Sequence, residues 1–182
     1  MNEINPQIVL DFWFKETPAQ NWFNGGDALD QTIITKFGAA HQAASQGELA
    51  YWRKTIHGYL AEIILLDQFS RNIYRNQAQA FAYDGMALIL AQEALKRADV
   101  NDLATIEKGF LILPFMHSES LKIHQEYAYL FEEAGLEDRL KYEKLHVAII
   151  EKFGRYPHRN QVLGRVSTPV EITFLKEPNS SF

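Results

Sequence analysis

The feature that most constrains this 182-residue chain is a stripe of side chains between residues 52 and 74. Its first half steps through Ile56, Leu60, Ile63 and Ile64 at helical spacing. Tyr59, Leu65 and Leu66 make the same stretch apolar on nearly every side. A helix that is apolar all round must be covered all round, so this one belongs at the centre of a bundle. The second half of the stripe lands on Asp67, Arg71 and Tyr74. Charges therefore replace aliphatic residues on a face that still points inward, and they need partners there.

The rest of the chain supplies the covering helices. Asn5 and Pro6 open a first helix, with Ile8, Val9, Phe12 and Trp13 on its apolar side. Asp27 caps a second, which runs to about residue 45 and is closed by Gly47. A fourth covers about residues 84–98; Asn101 and Asp102 open a fifth, which Pro114 kinks or stops. Stretches of about 118–134 and 136–153, joined at Gly135, form an antiparallel hairpin. Thr168-Pro169-Val170-Glu171 is a capping box that starts a last short helix. No run shows strand alternation. The expected architecture is all-α: an irregular array of antiparallel helical hairpins in a tetratricopeptide-like bundle. It forms one domain over residues 1–182, with a basic non-helical loop at about 154–166. The echo of a tetratricopeptide unit does not recur at a fixed period, so this is not a repeat array.

Composition removes several functions. With no cysteine, the chain has no disulfide framework, thiolate metal site or cysteine nucleophile. A net charge of −5 argues against binding nucleic acid through its phosphates. Residues 1–7 carry an acid and a proline where a signal peptide needs basic and then apolar residues. The longest apolar stretch, residues 110–116, is far short of the ~20 residues that span a bilayer. A cytoplasmic protein with no membrane partner is expected.

Three polar blocks carry the chemistry. In the central helix, Asp67 and Arg71 lie four apart and can pair, while Gln68, Asn72 and Arg75 flank them. A buried ion pair that fixes packing explains one such pair, but two arginines, an asparagine and a glutamine exceed what one carboxylate satisfies. The second block runs from residue 153 to 165. Lys152, Arg155, Arg159 and Arg165 make this region +4 and leave the remainder of the chain at −9. Three arginines with His158 and Asn160 in a tight loop suit phosphate or carboxylate groups. The same arginines could equally staple the loop to acids on other helices. The third block, His117-Ser118-Glu119-Ser120, follows the Pro114 break, with His117 facing inward. His124 and His146 read as core histidines. A Ser–His hydrolase is not indicated, because adjacent helical residues point about 100° apart. No ligand spacing supports a metal, and no cofactor is implied.

These blocks, Leu65-Leu66-Asp67-Gln68-Phe69-Ser70-Arg71-Asn72-Ile73-Tyr74-Arg75, Leu113-Pro114-Phe115-Met116-His117-Ser118-Glu119 and the loop to Arg165, resemble the bacterial domain of unknown function 924 family. The resemblance extends from Asp11-Phe12-Trp13-Phe14 to Ser180-Ser181-Phe182. It implies an all-helical, tetratricopeptide-like fold and no particular activity. Ser70 stands where the family usually has proline, so the helix is expected to run on unbroken. Ser120, Val166 and Val170 stand where acids are usual.

The leading expectation is a site for a small anionic molecule where the three blocks meet. Arg71, Arg75, Arg155, Arg159 and Arg165 would grip it, and Asp67, Glu119, Asn72 and Asn160 would orient it. His117 or His158 would be the acid–base group if there is catalysis. The competing expectations are a scaffold recognising an acidic peptide, and a purely structural network in a chain that dimerises through spare helical surface.

Overall fold

The computed structural model describes residues 4–181, so residues 1–3 of the N-terminal stretch and Phe182 lie outside the described residues. Among the described residues there are helices and turns but no strand. The helices are α1 Pro6–Asp11, α2 Gly26–Ser45, α3 Ile56–Ile64, α4 Ser70–Ile73 and α5 Asp84–Ala94. They continue with α6 Thr105–Leu111, α7 Leu113–Met116, α8 Leu121–Tyr127, α9 Glu137–Phe153 and α10 Pro169–Phe174.

As the stripe requires, α3 is central. It packs against α1, α5 and α6, while the turn that follows it packs against α2 and α5. Ile56, Leu60, Ile63, Ile64, Leu65 and Leu66 are all buried. The rod does not stop at Ile64. It passes through a π turn, Leu65–Phe69, into α4, with helical dihedrals at Leu65 and Ser70. Ser70 therefore leaves the rod unbroken, as expected. Its hydroxyl donates to the Leu66 carbonyl at 2.6 Å. A π turn inserts extra backbone into a helix, and such insertions are frequent at functional sites. Here it re-aims every side chain after Leu66. Phe69 goes into the core against Phe12, Trp13 and Phe37, and the polar residues divide between two sides of the rod.

Several boundaries differ from the sequence expectation. The central helix starts at Ile56 rather than near residue 52, because Thr55 caps it through the Gly58 N–H and Asp99 takes the Ile56 N–H. The preceding residues form a 3₁₀ turn, Ala50–Lys54, folded onto α3. Asp27 does not cap α2 and lies in its first turn. The fourth helix ends at Ala94. Asn101 and Asp102 belong to a 3₁₀ turn; α6 begins at Thr105, where Glu107 takes the Ala104 N–H. The break attributed to Pro114 falls at Ile112, as expected for a ring that clashes with the backbone a turn earlier. The helix expected from residue 118 starts at Leu121 and tightens to 3₁₀ at Ala128–Glu132.

The contact between the 3₁₀ turn and α3 gives a sharp test. A Cβ on Gly58 would sit 1.7 Å from the Trp52 carbonyl oxygen, which is backbone and cannot swing aside. Gly58→Ala is expected to destabilise the fold by about 3 kcal/mol, the upper end of ordinary overpacking, as a lower urea midpoint.

Candidate functional site: an ionic chain across the central helix

The three polar blocks do meet, on the side of the rod facing α5 and α7. His117 caps the end of α7, and its Nδ1 lies 2.6 Å from Asp67 Oδ1 on the π turn. Asp67 is almost fully buried and also accepts from Gln68 Nε2; Arg71 Nη1 pairs with its carboxylate at 3.2 Å and donates to its backbone carbonyl at 2.7 Å. Arg71 donates to both oxygens of Asp84, the first residue of α5, at 2.9 and 3.1 Å. Arg159, in the 3₁₀ turn Pro157–Arg159, reaches the same Asp84 with Nη1 at 3.4 Å. The result is a continuous chain, His117–Asp67–Arg71–Asp84–Arg159, with contributions from four separate segments.

The electrostatics follow from that order. Burial alone would raise the Asp67 carboxyl, but the Arg71 guanidinium and the His117 bond outweigh it and hold it ionised well below the usual range. Burial lowers the His117 pKa, and Arg71 lowers it further against the opposing pull of Asp67, so the imidazole is neutral at pH 7. With an ionised carboxylate on Nδ1, the ring proton sits on Nδ1 and the Nε2 lone pair is bare. That Nε2 has no hydrogen-bond partner among the described residues. The ring keeps 14% of its side-chain surface, Arg71 23% and Asp84 16%, so solvent reaches the chain at these three residues. Arg159 is the closed end. It keeps 7% of its side-chain surface, and its guanidinium lies between the rings of Phe81 and Tyr156, 4.6 and 4.5 Å from their centres. Its Nε is buried without a partner. Burial and the neighbouring Arg71 lower its pKa, while Asp84 raises it.

The other expected site residues are committed elsewhere. Arg75 and Asn72 turn to the opposite side of the rod, where both bond Asp30 of α2, at 2.8 and 2.7 Å. Arg155 forks onto Glu171 of α10 at 2.7 and 2.8 Å and donates to the Val166 carbonyl. Arg165 forks onto Glu119 at 2.6 and 2.9 Å; Glu119 also accepts the Tyr156 N–H. Asn160 accepts from Arg165 and donates to Ser167. These pairs staple the loop to the bundle, the alternative that the sequence left open. Two surface depressions, of about 470 Å³ beside Lys152 and Thr168 and about 220 Å³ beside Val100 and Tyr129, lie away from the ionic chain. His158 stands beside Tyr156, and burial pushes its pKa down to about 4.

Three residues of the site carried no assigned role in the sequence. Asp84 looked like an ordinary acid at a helix start. Phe81 sat in an unremarkable turn. Tyr156 is fully buried, and its hydroxyl donates to the Met116 carbonyl. Behind it, His124 bridges Glu143 at 2.6 Å and the Ser118 carbonyl at 2.9 Å, the satisfied core histidine that was expected. Among the described residues, no group of three or more histidines and carboxylates is arranged to hold a metal. No helix there is long and apolar enough to cross a membrane.

Fold and site thus define an all-helical protein whose central rod carries a buried carboxylate–histidine–arginine chain. The chain belongs to a family of bacterial proteins of unknown function, DUF924, whose model matches residues 9–179. It is similar to a solved protein of unknown function, ATU0120 from Agrobacterium tumefaciens. The two are 36% identical, over 94% of this chain and 96% of that one, with a TM-score of 0.88. No curated protein matches it.

Proposed function

We propose that the protein binds a small phosphate- or carboxylate-bearing molecule over the ionic chain and that His117 acts there as an acid–base group. The observation that carries this reading is the asymmetry of His117: Nδ1 is held by a buried carboxylate, while Nε2 is bare and reached by solvent. A neutral imidazole fixed in one tautomer by a carboxylate is the arrangement that moves protons near neutral pH. Arg159, at the far end of the ionic chain, supplies positive charge with donors that protein acceptors do not saturate. The acidic-peptide reading would need free cations along an open groove, and Arg75, Arg155 and Arg165 each face a carboxylate instead.

The test is a thermal-shift screen of phosphorylated and carboxylated compounds, with Arg159→Gln alongside. A ligand at a hundred times its Kd adds about 2.7 kcal/mol, which for a chain of this size raises Tm by roughly 5–10 °C. The expected result is such a shift in the wild type and none in folded Arg159→Gln. A panel that shifts neither protein, or shifts both equally, overturns the reading.

A further inference from the structure

Asp84 is placed as a ligand would be. Arg71 grips both of its oxygens, and Arg159 approaches one of them from the other side. One carboxylate thus serves two guanidiniums, and it serves Arg159 poorly: a single contact at 3.4 Å, with a buried Nε left empty. A buried donor without an acceptor is costly, so this end of the site is incomplete as it stands. Phe81, three residues before Asp84, lies under both guanidiniums, 4.6 Å from Arg159 and 5.6 Å from Arg71. The segment that brings the carboxylate therefore also brings the ring that covers the arginines. It begins just after Asn76, which holds a left-handed φ of 61°.

We propose that Asp84 occupies the seat of the ligand's own carboxylate, so that the ligand is a carboxylic acid whose two-oxygen head displaces Asp84 and bridges Arg71 and Arg159. This rests on the anion-binding reading above and narrows it. A planar two-oxygen head matches the fork that Arg71 already makes and can reach Arg159 end-on, through Nη1 and Nη2 together. Asp84 is then an internal competitor that sets the affinity. Asp67 stays in place and holds His117.

The experiment compares wild type, Asp84→Asn and Asp84→Ala, with acetate and benzoate as probes against inorganic phosphate at matched ionic strength, read by Tm and by calorimetric titration. Asp84→Asn keeps the shape of the side chain, so one variant folds even where the alanine is too disruptive. The expected result is carboxylate binding at least tenfold tighter in the Asp84 variants than in the wild type. Adding Arg159→Gln should abolish the gain, and phosphate should gain less than the carboxylates. Unchanged or weaker carboxylate affinity in folded Asp84→Asn overturns the proposal, because Asp84 is then a structural partner or part of the binding surface. An equal gain for phosphate overturns the restriction to carboxylates. The broader reading fails separately: no anion then shifts either the wild type or the Asp84 variants.

Discussion

Between pH 6.5 and 4 the protein is expected to lose on the order of 10 kcal/mol of stability, comparable to the whole stability of an ordinary domain. Two buried histidines and one half-buried one drive the loss. Burial pushes His41 down to about 4, His146 to about 3 and His158 to about 4, each from an ordinary value of 6.5. Above pH 6.5 these rings are neutral in both the folded and the unfolded chain, and their contribution is fully present. As pH falls below 6.5 the unfolded chain takes up three protons that the folded one refuses, so unfolding is favoured by roughly 4 kcal/mol per pH unit. Urea melts at half-unit steps should show a level midpoint above pH 7 and a steep fall below 6.5. His146→Leu should reduce the slope by about one third. A midpoint level from pH 8 to 5 would contradict the burial of these rings.

Asp67→Ala carries the second large effect, an expected loss of about 3–5 kcal/mol, because it removes the buried carboxylate that a buried imidazole, an amide and a guanidinium share. Three groups lose an acceptor together: His117 Nδ1–H, the Gln68 amide and one contact of Arg71. Asp67→Asn preserves the shape and one acceptor oxygen, and should lose less than the alanine variant. Chemical denaturation monitored by tryptophan fluorescence separates the two, since Trp13 packs on Phe69 next to the π turn. A loss below about 1 kcal/mol for the alanine variant would mean that Asp67 is neither buried nor shared.

The parts of the fold legible in the sequence were those written in local chemistry. The Asn5 cap, the left-handed glycines at 47, 135 and 154, and the Thr168–Glu171 box each announce a helix end through one or two side chains. Starts that depend on distant partners were misplaced: α3 begins where Asp99, 43 residues away, takes the Ile56 N–H. The site was legible as three odd blocks, and the blocks do converge. Its partition was not legible, because a π turn has no periodicity of its own. One extra residue per turn sends Asn72 and Arg75 to Asp30 and leaves Asp67 and Arg71 for His117 and Asp84. For the same reason, counting arginines overstated the free positive charge. The acids that absorb them, Asp30, Asp84 and Glu171, stand in helical first turns or faces where an acid is unremarkable.

The acid–base reading of His117 is tested most directly by the state of its ring, which long-range ¹H–¹⁵N NMR reads nitrogen by nitrogen, with His117→Gln assigning the resonance. At pH 7 the expected spectrum has a protonated Nδ1 and a bare Nε2, and the Nε2 resonance moves when a carboxylate probe is added. A proton on Nε2 with a bare Nδ1, or a ring protonated on both nitrogens at pH 7, would contradict it.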